Sequence, residues 1–308
     1  MLSYIAKRLA MAVPTLLIVI TASFFLMRAA PGGPFDGERQ LPPEIEANLM
    51  AVYHMDEPLW QQYLRYMGNL AQGDFGPSFV YKDFSVSDLL LQGFPVSLQL
   101  GGLAIILALL LGIPMGVFAA LKRNTTLDYT LMGVALGGIA VPNFVIAPLM
   151  ALFFGIFLGW LPVGGWNGGA LPNLVLPVVA LAIQQIAYIA RMMRASMIEV
   201  LGSHFIRTAR AKGLTEREVI MRHALRPAML PILSYLGPAI AGIITGSVVI
   251  EQIFGLPGIG RYFVQGALNR DYTLVMGTVV FYGVLIVLMN LIVDLLYSLF
   301  DPQIRYDD

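Results

Sequence analysis

Six blocks of almost unbroken apolar residues divide this chain, each long enough for a helix to cross a lipid bilayer, which takes about 20 residues. The first runs from Leu9 to Met27, preceded by Lys7 and Arg8 and closed by Arg28. Its charge-free run is longer than the apolar core of a cleaved leader, about 7–15 residues, so a retained first span is expected. The second lies between Pro95 and Leu121, and the third between Leu131 and Trp160. The fourth lies between Leu171 and Ala190, the fifth between Ala228 and Ile250, and the sixth between Leu274 and Phe300. Pro142 and Pro148 predict a kink or tilt in the third. The expected fold class is an all-α polytopic membrane protein of about six transmembrane helices.

The connections carry the polar residues. With the N-terminus inside, inner segments hold thirteen of the 19 Lys and Arg residues, including eight between Arg191 and Arg226. That bias predicts cytoplasmic N- and C-termini. The outer segment from Ala29 to Phe94 opens on Pro31-Gly32-Gly33-Pro34 and is acidic. Within it, Glu44 to Val52 and Leu59 to Leu70 are expected to form short helices. It reads equally as a solvated insert or as a docking surface for an extracytoplasmic partner. The sequence therefore divides into residues 1–94, a first span with its large outer loop, and residues 95–308, a five-helix core with a basic inner loop at about 191–227.

That inner loop is the most informative stretch. Phe205, Ile206, Ala209 and Ala211 alternate with the polar and basic Arg207, Thr208, Arg210 and Lys212, a helical pattern. Gly213 is placed to end the helix, because glycine accepts the left-handed backbone without a steric penalty. After Leu214, Thr215 and Glu218 have capping-box spacing, so a second helix starts at once and carries Val219, Ile220, Met221 and His223. A basic loop could merely fix topology. The apolar Ile206, Leu214, Val219 and Ile220 argue instead for a docking element, since exposing them together is costly unless something covers them.

A third segment runs from Glu251 through Phe254, Gly255, Pro257, Gly258 and Gly260 to Arg261. Three glycines and a proline there predict an irregular backbone, and the apolar content favours a loop packed into the protein or the headgroup zone over a simple turn.

Composition agrees with the block pattern and narrows the chemistry. Apolar residues are 57% of the sequence and charged residues 12%, against roughly 25% charged in a soluble domain. Net charge is zero, which gives no pointer to nucleic acid, and cysteine is absent. His54, His204 and His223 lack metal-ligand spacing. No phosphate-cradling loop, His-Glu-x-x-His or Gly-x-Ser-x-Gly occurs, so no catalytic residue, metal or bound cofactor is assigned. The spans are nearly free of charge: Asp294 is the exception, and Asn143, Gln184, Gln185 and Asn290 are uncharged polar residues within them. That weakens ion-coupled transport and leaves an external energy source. Gly133, Gly137 and Gly138, and Gly237, Ala241, Gly242 and Gly246, form small-residue faces suited to close helix approach.

The run Arg207-Thr208-Ala209-Arg210-Ala211-Lys212-Gly213, followed by His223-Ala224-Leu225-Arg226-Pro227-Ala228, resembles the cytoplasmic loop of permease subunits of binding-protein-dependent ABC importers, in the variant used by peptide and nickel importers. The run from Glu251 to Gly260, Ala267-Leu268-Asn269-Arg270-Asp271-Tyr272, and Asp301-Pro302 with Ile304-Arg305-Tyr306 are similar to the same subfamily, and to the first of the two permeases in oligopeptide importers. The resemblance implies an inner-membrane, multi-pass subunit of type I importer fold carrying oligopeptides, or dipeptides, nickel chelates or other small solutes. It implies a second homologous permease, two ATP-binding subunits that hold ATP and Mg, and an extracytoplasmic peptide-binding protein. It also implies that Ser203 to Arg226 couples to an ATPase. Where the general family pattern has Glu-Ala-Ala, this sequence has Arg207-Thr208-Ala209, so the contact would be basic and apolar.

Overall fold

The computed structural model describes residues 2–29, 33, 43–81 and 83–300, and helices dominate it. The side chain of Asp294 and the C-terminal Asp301–Tyr306 run lie outside the described residues. Helix α1 (Leu2–Ala29) contains the first span. In hydrocarbon every backbone N–H and C=O must be answered within the segment, and a helix does that. Helices α2 (Pro43–Val52) and α3 (Leu59–Ala71) match the two short helices expected in the outer loop. α3 lies across the end of α1: Thr21 and Tyr63 share a hydrogen bond at 2.8 Å, and Phe24 is buried against Tyr63 and Tyr66.

The second span is longer than its apolar block. Helix α4 (Val86–Leu121) starts where Ser85 and Asp88 form a reciprocal capping box, not near Pro95. It pairs with α7 (Leu171–Leu201), which continues beyond Ala190, so the first residues of the expected basic loop are helix. Glycines let the two axes approach. A Cβ on Gly112 would lie 3.0 Å from the Ile189 side chain, and one on Gly116 would lie 2.5 Å from the Ala190 carbonyl. Helix α14 (Tyr272–Phe300) packs likewise on α11 (Leu230–Gly246), where a Cβ on Gly237 would meet Asn290 Oδ1 at 2.9 Å.

The third block bends at Pro142, as expected, but breaks sharply instead of kinking. It is two helices, α5 (Thr126–Ala140) and α6 (Asn143–Met150), the latter continuing as a π-helical segment Ala151–Phe157, and they meet at 100°. Pro142 supplies no N–H for the carbonyl four residues back, and Val141, the residue before a proline, is held extended. The described residues thus contain four helices able to span, or up to six if each bent pair is one span.

A buried ion pair fixes the start of α5. Asp128, 1% exposed, accepts Arg194 Nε at 2.6 Å and Nη2 at 2.7 Å from α7, and the Asn124 N–H at 2.9 Å. Asp128→Ala strands the guanidinium. Because Arg194 keeps some solvent contact, the expected cost is about 2 kcal/mol, below the 3–5 of a fully buried pair. It should register as a lowered melting temperature in detergent, and an unchanged melting curve would refute it.

Candidate functional site: the basic loop and the glycine corner

Beyond α7, Gly202 and Ser203 turn the backbone into α8 (His204–Ala211). Gly213 has φ +79°, the left-handed conformation expected of it, and its N–H donates to Arg210 O at 2.9 Å. The next helix begins as α9 (Glu216–Glu218), continues through a π-helical stretch Val219–Ala224, and closes as α10 (Leu225–Ala228). The predicted box is present. The Glu218 carboxylate accepts Thr215 N–H at 3.1 Å and Oγ1 at 2.8 Å, and Thr215 Oγ1 accepts Glu218 N–H. Arg210 spans the turn in two bonds to Glu216, at 2.8 and 3.2 Å. Exposed as it is, that pair is worth about 0–1 kcal/mol and mainly orients the two helices.

The apolar residues do not behave as the sequence argument required. Ile206 and Val219 are fully buried within the protein, in one cluster with Met197, Ala209 and Ala224, and Leu214 and Ile220 pack against that cluster. The protein itself covers them, so they seat the loop on the end of α7 instead of offering a docking face. The outward surface is Phe205, Arg207, Thr208, Arg210, Ala211, Lys212, Gly213 and Thr215, with His223 half-buried. Phe205 and Met221 are the large apolar side chains left exposed on this loop.

At the other predicted segment, Glu251 and Phe254 are not in a loop. They belong to α12 (Val248–Phe254), which Gly255 ends in the left-handed conformation; α13 (Ile259–Leu268) follows Gly258. Only Gly255 to Gly258 is irregular. Glu251 is fully buried and every oxygen is used: Oε1 accepts Ser97 Oγ at 2.6 Å and the Ser247 hydroxyl, and Oε2 accepts Gly260 N–H at 2.8 Å. Ser97 in turn accepts Ile259 N–H at 2.9 Å. A buried carboxyl is tolerated only with such donors. Gly258 makes room for it, because a Cβ there would sit well inside 3.0 Å of the carboxyl group. Gly260 packs on the Val248 backbone with equally little room, the Phe254 carbonyl accepts Gly165 N–H at 2.7 Å, and Pro257 is half-buried. The corner joins α4, α12, α13 and the 164–165 loop in one packed unit.

Asp271 does comparable work at the start of α14. Oδ1 accepts Leu274 N–H at 3.1 Å, while Oδ2 accepts Ser78 Oγ at 2.5 Å and the N–H groups of Phe79 and Val80. It caps the last helix and pins the outer segment to it. Asp271 lies in the Ala267–Tyr272 motif, yet its role shows only once Ser78 is brought to it.

The described residues form a helical protein with four to six candidate spans and a two-helix basic loop. Residues 112–306 match the family described as "Binding-protein-dependent transport system inner membrane component". The protein belongs to that family: it is a multi-pass inner-membrane permease subunit of an ABC importer. It is 60% identical over 306 residues to the oligopeptide transport system permease protein OppB of Escherichia coli strain K12, covering 99% of this protein and 100% of that one. Identity to OppB of Haemophilus influenzae is 58% over the same coverage. Identity to the dipeptide transport system permease protein DppB of Bacillus subtilis is 45%, over 99% of this protein and 98% of the relative. In fold it is similar to the inward-facing MetNI methionine ABC transporter, with TM-score 0.59 and 19% identity over 69% of this protein and 96% of the matched subunit.

Proposed function

We propose that this protein is the permease subunit of an ATP-driven oligopeptide importer, forming half of the translocation path. The observation that carries the reading is the 60% identity to OppB across the whole sequence. The lower identity to dipeptide permeases, 45% and 41%, makes dipeptides the second cargo to test. The N- and C-termini face the cytoplasm, and residues 1–94 present the outer loop to a peptide-binding protein. A second homologous permease completes the path within the lipid. Two ATP-binding subunits hold ATP and Mg, and the permease itself supplies no catalytic group.

The basic loop meets one ATP-binding subunit through Phe205, Arg207, Thr208, Arg210, Lys212 and the Gly213 turn. Its buried side, Ile206 and Val219, is continuous with Met197 of α7, so the loop and α7 move together when pushed. The Asp128–Arg194 pair extends that body to α5, and the broken span moves with it. Alternating access then follows from closure of the ATP-binding subunits.

Sealed vesicles holding the assembled importer should take up labelled peptides of three to five residues in an ATP-dependent manner, faster than dipeptides. Preference for dipeptides would overturn the oligopeptide reading. Isolation of this permease in mild detergent without an ATP-binding subunit would overturn the coupling reading.

A further inference from the structure

The 100° break between α5 and α6 opens beside a cavity of about 340 Å³ whose polar lining is Asn143, Gln184, Gln185 and Tyr235. Asn143 is the first residue after the break. Gln184 and Gln185 lie on α7, about 20 Å along the axis from its Leu171 end and about 25 Å from its Leu201 end at 1.5 Å per residue. Tyr235 comes from α11. The cavity is therefore deep in the apolar part of the molecule, where polar groups are costly unless they face water, protein or cargo.

These groups are not consumed by one another. Tyr235 donates to Gln185 Oε1 at 2.6 Å, which leaves the Gln185 NH2 uncommitted. Asn143 Oδ1 is buried by the protein itself without a hydrogen-bond partner, so it marks the break and is not offered to a passing molecule. Gln184 lines the cavity and makes no side-chain hydrogen bond among the described residues. Each side-chain amide offers two donors and an acceptor whichever way it is turned. The lining holds no Asp, Glu, Lys, Arg or His. A site with surplus amide donors and acceptors and no charge suits a neutral group that both donates and accepts, such as an amide. In a peptide of varied sequence the one such group present at every position is the backbone amide. A charged lining would trap some side chains and repel others, and this one does neither.

We propose that this cavity is a stretch of the cargo path in which Gln184 and Gln185, beside Asn143 at the break, bind the backbone carbonyl and N–H groups of a passing peptide, without regard to its side chains. The proposal rests on the peptide-importer reading and deepens it.

The test uses the complete importer, with its partner subunits and binding protein, in sealed vesicles. Uptake of tri-alanine is compared with that of its analogue methylated at both peptide nitrogens, in wild type and in Gln184→Leu. Loss of one hydrogen bond should raise the wild-type KM for tri-alanine about fivefold in the variant. Methylation should then penalise Gln184→Leu distinctly less than wild type. Any penalty taken at the binding protein is common to both arms and cancels in the cycle. An equal methylation penalty in both would overturn the proposal.

Position is tested separately, since the sequence has no cysteine. Gln184→Cys, with partner cysteines replaced, should react with a charged, membrane-impermeant maleimide and be protected by tri-alanine during turnover. If instead Gln184 only pairs with the second permease, the cysteine stays unlabelled and Gln184→Leu lowers assembly without changing KM; that result overturns the site. Failure of wild-type vesicles to take up tri-alanine at all overturns the cargo reading, and the site with it, and is distinguishable because no variant is needed to see it.

Discussion

Replacing Gly258 by alanine should remove most of the folded protein from the membrane. One methyl group there falls on the carboxyl carbon and both oxygens of Glu251, and Glu251 has nowhere to go. It is fully buried, and its position is set by Ser97, Ser247 and Gly260 from three directions. Displacing it costs about 1–3 kcal/mol of overpacking. It also leaves a buried carboxyl without its donors, about 1–3 kcal/mol more. The sum is a large fraction of the whole stability of many folded proteins. The measure is the monodisperse peak of a fluorescent fusion in mild detergent, expected to fall to a small fraction of wild type. Glu251→Ala removes the obstructing atoms, so adding it to Gly258→Ala should cost less than the two single losses combined. Wild-type amounts of Gly258→Ala would show that the corner yields and that the close packing is not required.

The glycines of this corner were visible in the sequence, but their purpose was not. An irregular stretch was expected from Glu251 to Arg261, because three glycines and a proline fall close together. What the pattern lacked was Ser97, 154 positions away from Glu251, which supplies a hydrogen bond that lets a carboxyl group stay buried on a helix. Asp128 and Arg194 were hidden for the same reason: neither is unusual locally, and their pairing appears only when α5 is laid on α7. The bend at Pro142 was expected from its missing N–H, but a local rule predicts the break without its angle. By contrast the basic loop was legible almost atom by atom. A left-handed glycine and a capping box are decided by a handful of neighbouring residues, and Gly213, Thr215 and Glu218 adopt the predicted geometry. The apolar residues of that loop carried less meaning than their composition suggested. Periodicity shows that Ile206 and Val219 need cover, and it is silent on whether the cover is a partner or the protein's own α7.

Gly213→Val should abolish peptide uptake while leaving the amount of inserted protein unchanged. The two halves of that expectation have separate origins. A Cβ at position 213 meets nothing within 4 Å, so no neighbour is displaced and the helices that span the bilayer are untouched. The backbone is the difficulty. At φ +79° an L-residue pays about 1–2 kcal/mol, and a β-branched one more. The strain is relieved by reopening the turn, which gives up the Gly213 N–H bond to Arg210 O and pulls Arg210 from Glu216. The angle between α8 and α9 then changes, and an ATP-binding subunit seated across both helices, as proposed, would no longer fit. Asparagine tolerates the left-handed conformation, so Gly213→Asn should keep most of the uptake that valine loses. Wild-type uptake with valine would remove the turn from the coupling mechanism. Equal loss with valine and asparagine would assign the defect to bulk on the docking surface instead of to backbone conformation.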